Sequence, residues 1–142
     1  MNTIRLLAIF AENKSGQLAH ITELIAKANI NIRWITIAST EAFGVVKLLV
    51  DDWDMAYRQL KHSGVPVSIV EVLGVEVDDR PGQLHRVTQC LADNGINLEN
   101  ASGVVFGKRA VLLIEVSDRS RASELLKAKG LRLLTPETIL QL

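Results

Sequence analysis

The sequence predicts an α+β protein made of two tandem copies of one β-α-β-β-α-β unit, each an antiparallel sheet with both helices on one face. Three observations predict it. The stretch KSGQLAHITELIAKANINI, residues 14–32, returns 66 residues later as RPGQLHRVTQCLADNGINL, residues 80–98. Gly16, Gln17, Leu18, Thr22, Ala26, Ile30 and Asn31 recur as Gly82, Gln83, Leu84, Thr88, Ala92, Ile96 and Asn97. Seven identities in these nineteen positions compare with roughly one by chance at ordinary composition. The same ungapped offset then pairs Val45, Val50, Asp52, Ala56, Leu60, Lys61 and Gly64 with Val111, Val116, Asp118, Ala122, Leu126, Lys127 and Gly130. Finally, each copy runs through strand-type and helix-type hydrophobic patterns in one order. Two copies are too few for a solenoid, so the chain is a tandem duplication, divided at residues 1–70 and 71–142.

The elements follow in chain order. TIRLLAIFA and VEVLGVEV are aliphatic, β-branched runs of strand length. The polar turns ENKSG and DDRPG come next, rich in residues that adopt turn backbone. In the first copy Leu18, Ile21, Leu24, Ile25 and Ala28 are spaced as one helical stripe, and Leu84, Val87, Cys90 and Leu91 form its counterpart. INIRWITIAS with FGVVKLLV, and INLENASGVVF with RAVLLIEV, read as strand pairs. Asp52 and Asp118 sit where they can cap second helices that stop at Gly64 and Gly130. VPVSIV and LRLL supply short last strands, and Thr135-Pro136 starts a final short helix. This is the ferredoxin-like order. Leu6 to Phe10 do not alternate with polar residues, so both faces of the first strand call for cover. A unit of this length buries only about 60% of its unfolded surface, which predicts packing against the sister repeat or a second chain.

Composition narrows the function. The 142 residues carry 16 basic and 16 acidic side chains, a neutral balance that lacks the electrostatic footprint of a nucleic-acid binder. No apolar run approaches the ~20 residues of a membrane span, and the N-terminus has no signal-peptide pattern. The lone Cys90 leaves no disulfide framework or multi-cysteine metal site. The expectation is a cytoplasmic protein with no cofactor and no membrane or nucleic-acid partner. Cys90 falls on the core stripe. His20, His62 and His85 share no ligand spacing; His20 and His85 fall on the solvent side of the first helices. Trp34 and Trp53 suit packing, with Trp34 close enough in sequence to Asn31 to line a pocket.

The repeated phrase is a candidate anion seat. A helix N-terminus presents unpaired N–H groups and partial positive charge, and a glycine there lets a ligand approach the backbone. Gly16-Gln17-Leu18 and Gly82-Gln83-Leu84 supply that end twice. Asn13 and Asp79 add polar side chains before it, and Asn31 and Asn97 stand fifteen residues beyond each glycine. An amide can donate to a carboxylate and accept from an ammonium, so the set suits a zwitterionic amino acid.

At these residues the sequence resembles the ACT domain family, small regulatory modules that bind amino acids. DDRPGQL with GINL shows the family turn and strand start; the first copy has Ser15 in place of the proline and Asn29 in place of the glycine. The resemblance covers nearly the whole chain and implies a stand-alone tandem ACT protein without a catalytic domain. It implies a ligand held between two such domains by the strand–helix turn of one and the second strand of its neighbour. Carried onto this sequence, the site residues are Asn13, Lys14, Ser15, Gly16, Gln17, Leu18 and Asn31, with Asp79, Arg80, Pro81, Gly82, Gln83, Leu84 and Asn97. Asp79 favours an ammonium over a carboxylate.

The expected function is therefore a non-catalytic amino-acid sensor, dimeric, acting on an enzyme or regulator partner. The alternatives are a protein–protein adaptor with vestigial sites and a small enzyme. An enzyme calls for a nucleophile with its base, paired carboxylates or a metal set; Asp51-Asp52 and Asp78-Asp79 fit caps and turns instead. An RNA-binding module of the same strand order calls for aromatics on the central strands, which FGVVKLLV and RAVLLIEV lack. An iron–sulfur ferredoxin needs more than one cysteine.

Overall fold

The computed structural model describes residues 2–142. The elements are β1 (Thr3–Glu12), α1 (Gln17–Lys27), β2 (Ile32–Ser39), β3 (Phe43–Val50), α2 (Trp53–His62), β4 (Val67–Asp78), α3 (Gln83–Asp93), β5 (Leu98–Phe106), β6 (Arg109–Val116), α4 (Arg119–Ala128), β7 (Arg132–Leu134) and α5 (Pro136–Leu140). Backbone packing divides them into one unit spanning Arg5–Val70 and another in which residues 2–4 join Glu71–Leu142.

In the first unit β2, β3 and β1 lie side by side in that order, and β4 begins alongside β1; the Phe10 N–H donates to the Pro66 carbonyl at 3.1 Å. In the second unit the order is β7-β4-β6-β5. All the strand pairs with a resolved register are antiparallel. Two ferredoxin-like units in tandem are therefore present. The two short strands expected around residue 70 are one continuous strand, β4, whose first four residues serve the first unit and the rest the second. No turn residue separates VPVSIV from EVLGVEV, so nothing interrupts the extended backbone.

The duplication extends to individual pairings. Leu7 faces Leu48 and Glu12 faces Phe43, as Leu73 faces Ile114 and Asp78 faces Arg109. Both edge strands carry an irregularity at the same place, between Ile32 and Trp34 and between Leu98 and Asn100. The left-handed positions also repeat. Gly16 and Gly82 have φ of 86° and 87°, and Asn29 takes 58° where Gly95 takes 67°. Asparagine is among the few residues that tolerate this backbone, which explains how the first copy dispenses with the glycine.

Each unit has its own core between sheet and helices. In the first, Leu7, Ile9, Val46 and Leu48 pack with Ile21, Ile25, Ala56 and Leu60. In the second, Leu73, Val75, Val77 and Ile114 pack with Val87, Cys90, Leu91, Ala122 and Leu126. The helical stripe of α1 follows expectation, with Leu18, Leu24 and Ala28 partly buried against that core. In α3 one member departs from it: Leu84 is 52% exposed. Its counterpart Leu18 lines a cleft with Ile37, whereas the residue in register with Ile37 in the second unit is Gly103, which offers no side chain to pack on. Leu6, Leu7, Ala8 and Ile9 are all buried, so both faces of β1 are covered over that stretch, whereas Phe10 at the end of the run is 58% exposed. On the second unit the small helix α5 lies on the sheet face opposite α3 and α4. There Ile139 and Leu134 close over Gly74, and Ile4 packs so tightly that a Cβ at Gly74 would stand 2.7 Å from its Cδ1.

Candidate functional site

The two turns singled out by the sequence form the N-terminal ends of α1 and α3, and both are opened by a left-handed glycine with no side-chain cap. The other three helices differ. Asp52, Asp118 and Thr135 each accept a hydrogen bond from the third backbone N–H beyond them, on Met55, Arg121 and Thr138. The first N–H groups of any helix lack an intrahelical carbonyl. In α1 the Gln17 N–H reaches the Lys14 carbonyl at 3.3 Å, and the His20 N–H closes the first full turn on Gly16 at 3.0 Å. Beyond the Gln17 N–H, which the bond to Lys14 occupies, the helix end has no side-chain acceptor of its own and is backed by the positive end of the helix dipole.

The preceding loop is tied down. Asn13 donates from its backbone N–H to Ala42 and from its amide to the Thr40 carbonyl, at 2.9 and 3.1 Å. These bonds join the strand–helix turn to the hairpin between β2 and β3. The geometry opens a cleft of about 200 Å³ lined by Ala11, Glu12, Asn13, Lys14, Gln17, Leu18, Ile37, Ser39, Gly44 and Val46. Its rim is polar, and Lys14 meets Glu12 at 3.1 Å. Its wall is aliphatic. The strand register places Ile37 directly opposite Val46, on the face that carries the helices. A second cleft of about 270 Å³ runs along the other side of α1, by Phe10, His20 and Ser63 to Pro66.

The expected residues divide into two groups. Asn13, Lys14, Gln17 and Leu18 meet in the first cleft, with Ser15 and Gly16 in the turn above it. Asn31 lies at the far end of α1, whose 11 residues span about 16 Å. There the Asn31 N–H donates to Asp51 Oδ1 and its carbonyl accepts from the Asp51 N–H, at 3.1 and 3.2 Å. Asn97 stands equivalently, clasped to Ser117 through its N–H at 2.9 Å, in an open hollow with Thr88, Gly95 and Leu98. One unit alone does not bring its glycine turn and its strand-two asparagine together. Ile37, Ser39, Gly44 and Val46 escaped the sequence reading, which followed the start of strand two. The alternation of strand residues, applied to its end, was the signal available.

The second turn has a different electrostatic setting. Asp78 pairs with Arg80 at 3.2 Å and with Arg109, while Glu76 pairs with Arg109 at 3.4 Å and Arg132 at 2.9 Å. Asp79, Pro81, Gly82 and Gln83 flank this network, and Leu84 projects beyond it. His20 and His85 are exposed. Among the described residues no group of three metal-ligating side chains gathers, and no helix is long and apolar enough to cross a membrane.

A ferredoxin-like unit, duplicated in register and opened twice by an uncapped glycine turn, defines a paired small-domain module. The chain belongs to the ACT domain pair family, which it matches over residues 2–142. Protein BT0572 from Bacteroides thetaiotaomicron is similar at 34% identity and a TM-score of 0.94, over 99% of this chain and 98% of that one. The ligand-free regulatory subunit of aspartate kinase from Thermus thermophilus shares the fold at 15% identity, TM-score 0.62, over 92% of each chain. Its Thermus flavus counterpart does so at 14% identity, TM-score 0.64, over 90% of each. No curated protein matched the chain.

Proposed function

We propose that this protein is a non-catalytic regulatory module of two ACT units, residues 1–70 and 71–142, that binds a free amino acid and transmits its presence to an enzyme or regulator partner. The observation that carries the reading is the contrast among helix ends. Three helices cap one of their first N–H groups with a side chain, whereas the two repeated glycine turns have no side-chain cap, which suits an external carboxylate. Membership of the ACT domain pair family supports it, and the Thermus structures of the same fold are named as regulatory subunits of aspartate kinase. The separation of Gly16 from Asn31 within a unit calls for a neighbouring unit to complete the pocket, and a second copy of the chain in a homodimer would supply one.

The test is a thermal-shift screen of the twenty amino acids at millimolar concentration, with size measured by light scattering. A ligand at 100 times its Kd adds about 2.7 kcal/mol of stability, a shift of several degrees at this size. A response confined to chemically related amino acids, lost in Asn31→Ala or Asn97→Ala, is expected. A flat screen on folded protein favours the adaptor reading. That reading draws its own support from Phe10, Phe43, Ile35 and Ile37, which are 43–61% exposed on the first unit.

A further inference from the structure

We propose that the cleft of the first unit selects amino acids with an apolar, uncharged side chain, and that the cross-strand pair Ile37–Val46 sets this selectivity. The inference rests on the amino-acid reading above and names the class of ligand. A cleft of about 200 Å³ is smaller than the roughly 300–1,000 Å³ of drug-sized pockets, and matches a ligand of about ten heavy atoms. Its polar groups, Asn13, Gln17 and Ser39 with the helix end, gather where a main-chain carboxylate and ammonium would bind. Its wall is made by Leu18, Ile37 and Val46. The charged side chains at the rim, Glu12 and Lys14, are already paired with each other at 3.1 Å. A charged ligand side chain laid on the aliphatic wall would shed part of its water against hydrocarbon, which is unfavourable. An apolar one gains by burial.

The second unit supplies the internal control. At the same register Gly103 faces Leu112 where the first unit has Ile37 facing Val46. The Leu112 side chain leans into the space above that glycine, its Cδ2 standing 2.9 Å from where a Cβ would be. The larger residue thus takes the space that the Ile37 side chain occupies in the first unit. Transplanting the pair as Ile37→Gly with Val46→Leu should remove the Ile37 wall of the cleft in a geometry this fold already accommodates.

The experiment is isothermal titration of the full chain with leucine, valine, phenylalanine, aspartate and lysine, on the native sequence and the transplanted pair. Binding by the apolar amino acids at least tenfold tighter than by aspartate or lysine is expected, weakened tenfold or more by the transplant. If the transplant does not fold, Ile37→Asp, at a position 52% exposed, must weaken apolar ligands to the same extent. Charged amino acids binding as tightly as apolar ones, or affinity indifferent to both variants, overturns the inference and leaves amino-acid binding standing. No binding by any amino acid on folded protein overturns both.

Discussion

The two repeats share a backbone almost residue for residue yet differ at the one place where function is expected. Strand register, bulge position, left-handed turns and helix caps coincide at an offset of 66. Around the glycine turns the side chains diverge. The first unit has Asn13, Ile37 and Val46 around an open cleft, with Phe43 exposed at the strand start. The second has Asp79, Gly103 and Leu112, and Arg109 replaces Phe43 to pair with Asp78 and Glu76. Leu18 is half-buried in the cleft while its counterpart Leu84 projects into solvent. The lesson is that packing preserved the scaffold twice, because each unit needs its own core, while the turns were free to change once duplicated.

That comparison can be broken first in the core. Leu7→Ala and Leu73→Ala, both at fully buried positions, should each destabilise the chain by about 2–5 kcal/mol, read from urea unfolding. A large inequality between them would show that the units do not carry equivalent cores. Smaller effects sharpen the difference at the cleft. Gly103→Ile should cost about 1 kcal/mol by crowding Leu112, and adding Leu112→Val should recover most of it by rebuilding the first unit's pair. Asp52→Ala and Asp118→Ala should each cost about 1 kcal/mol through loss of the helix cap, alike in both units, because the two caps have the same geometry.

The smallest expected effect concerns pH. On α1 the hydrogen bond and charge of Lys27 hold the Glu23 carboxyl below its usual value of 4.5; the pair is 2.9 Å apart. The equivalent pair on α3 is Gln89 donating to Asp93 at 2.7 Å. A carboxyl whose folded pKa is depressed contributes stability above its unfolded pKa and loses it as pH falls through the folded value. Glu23→Gln should therefore lower the thermal midpoint slightly at pH 7 and leave it unchanged well below pH 4. The contribution is small, since the pair is exposed and screened. An equal loss at both pH values would show that the charge is not its source.

The sequence by itself determined the duplication, the order of elements, the caps at Asp52, Asp118 and Thr135, and the buried stripe of α1. These are local properties: each follows from side-chain period, turn residues or cap chemistry within a few positions of the element it defines. The glycine turns were legible for the same reason. Only the tertiary structure decided that β4 is a single strand serving both units, that Leu84 lies outside its core, and that Asn31 stands a helix length away from Gly16. It also placed Ile37 against Val46 at the cleft wall. Such facts depend on which strand lies opposite which and on the direction each connection takes through space. A run of residues read in one dimension names the participants of a site, but the pairing of strands decides which of them meet.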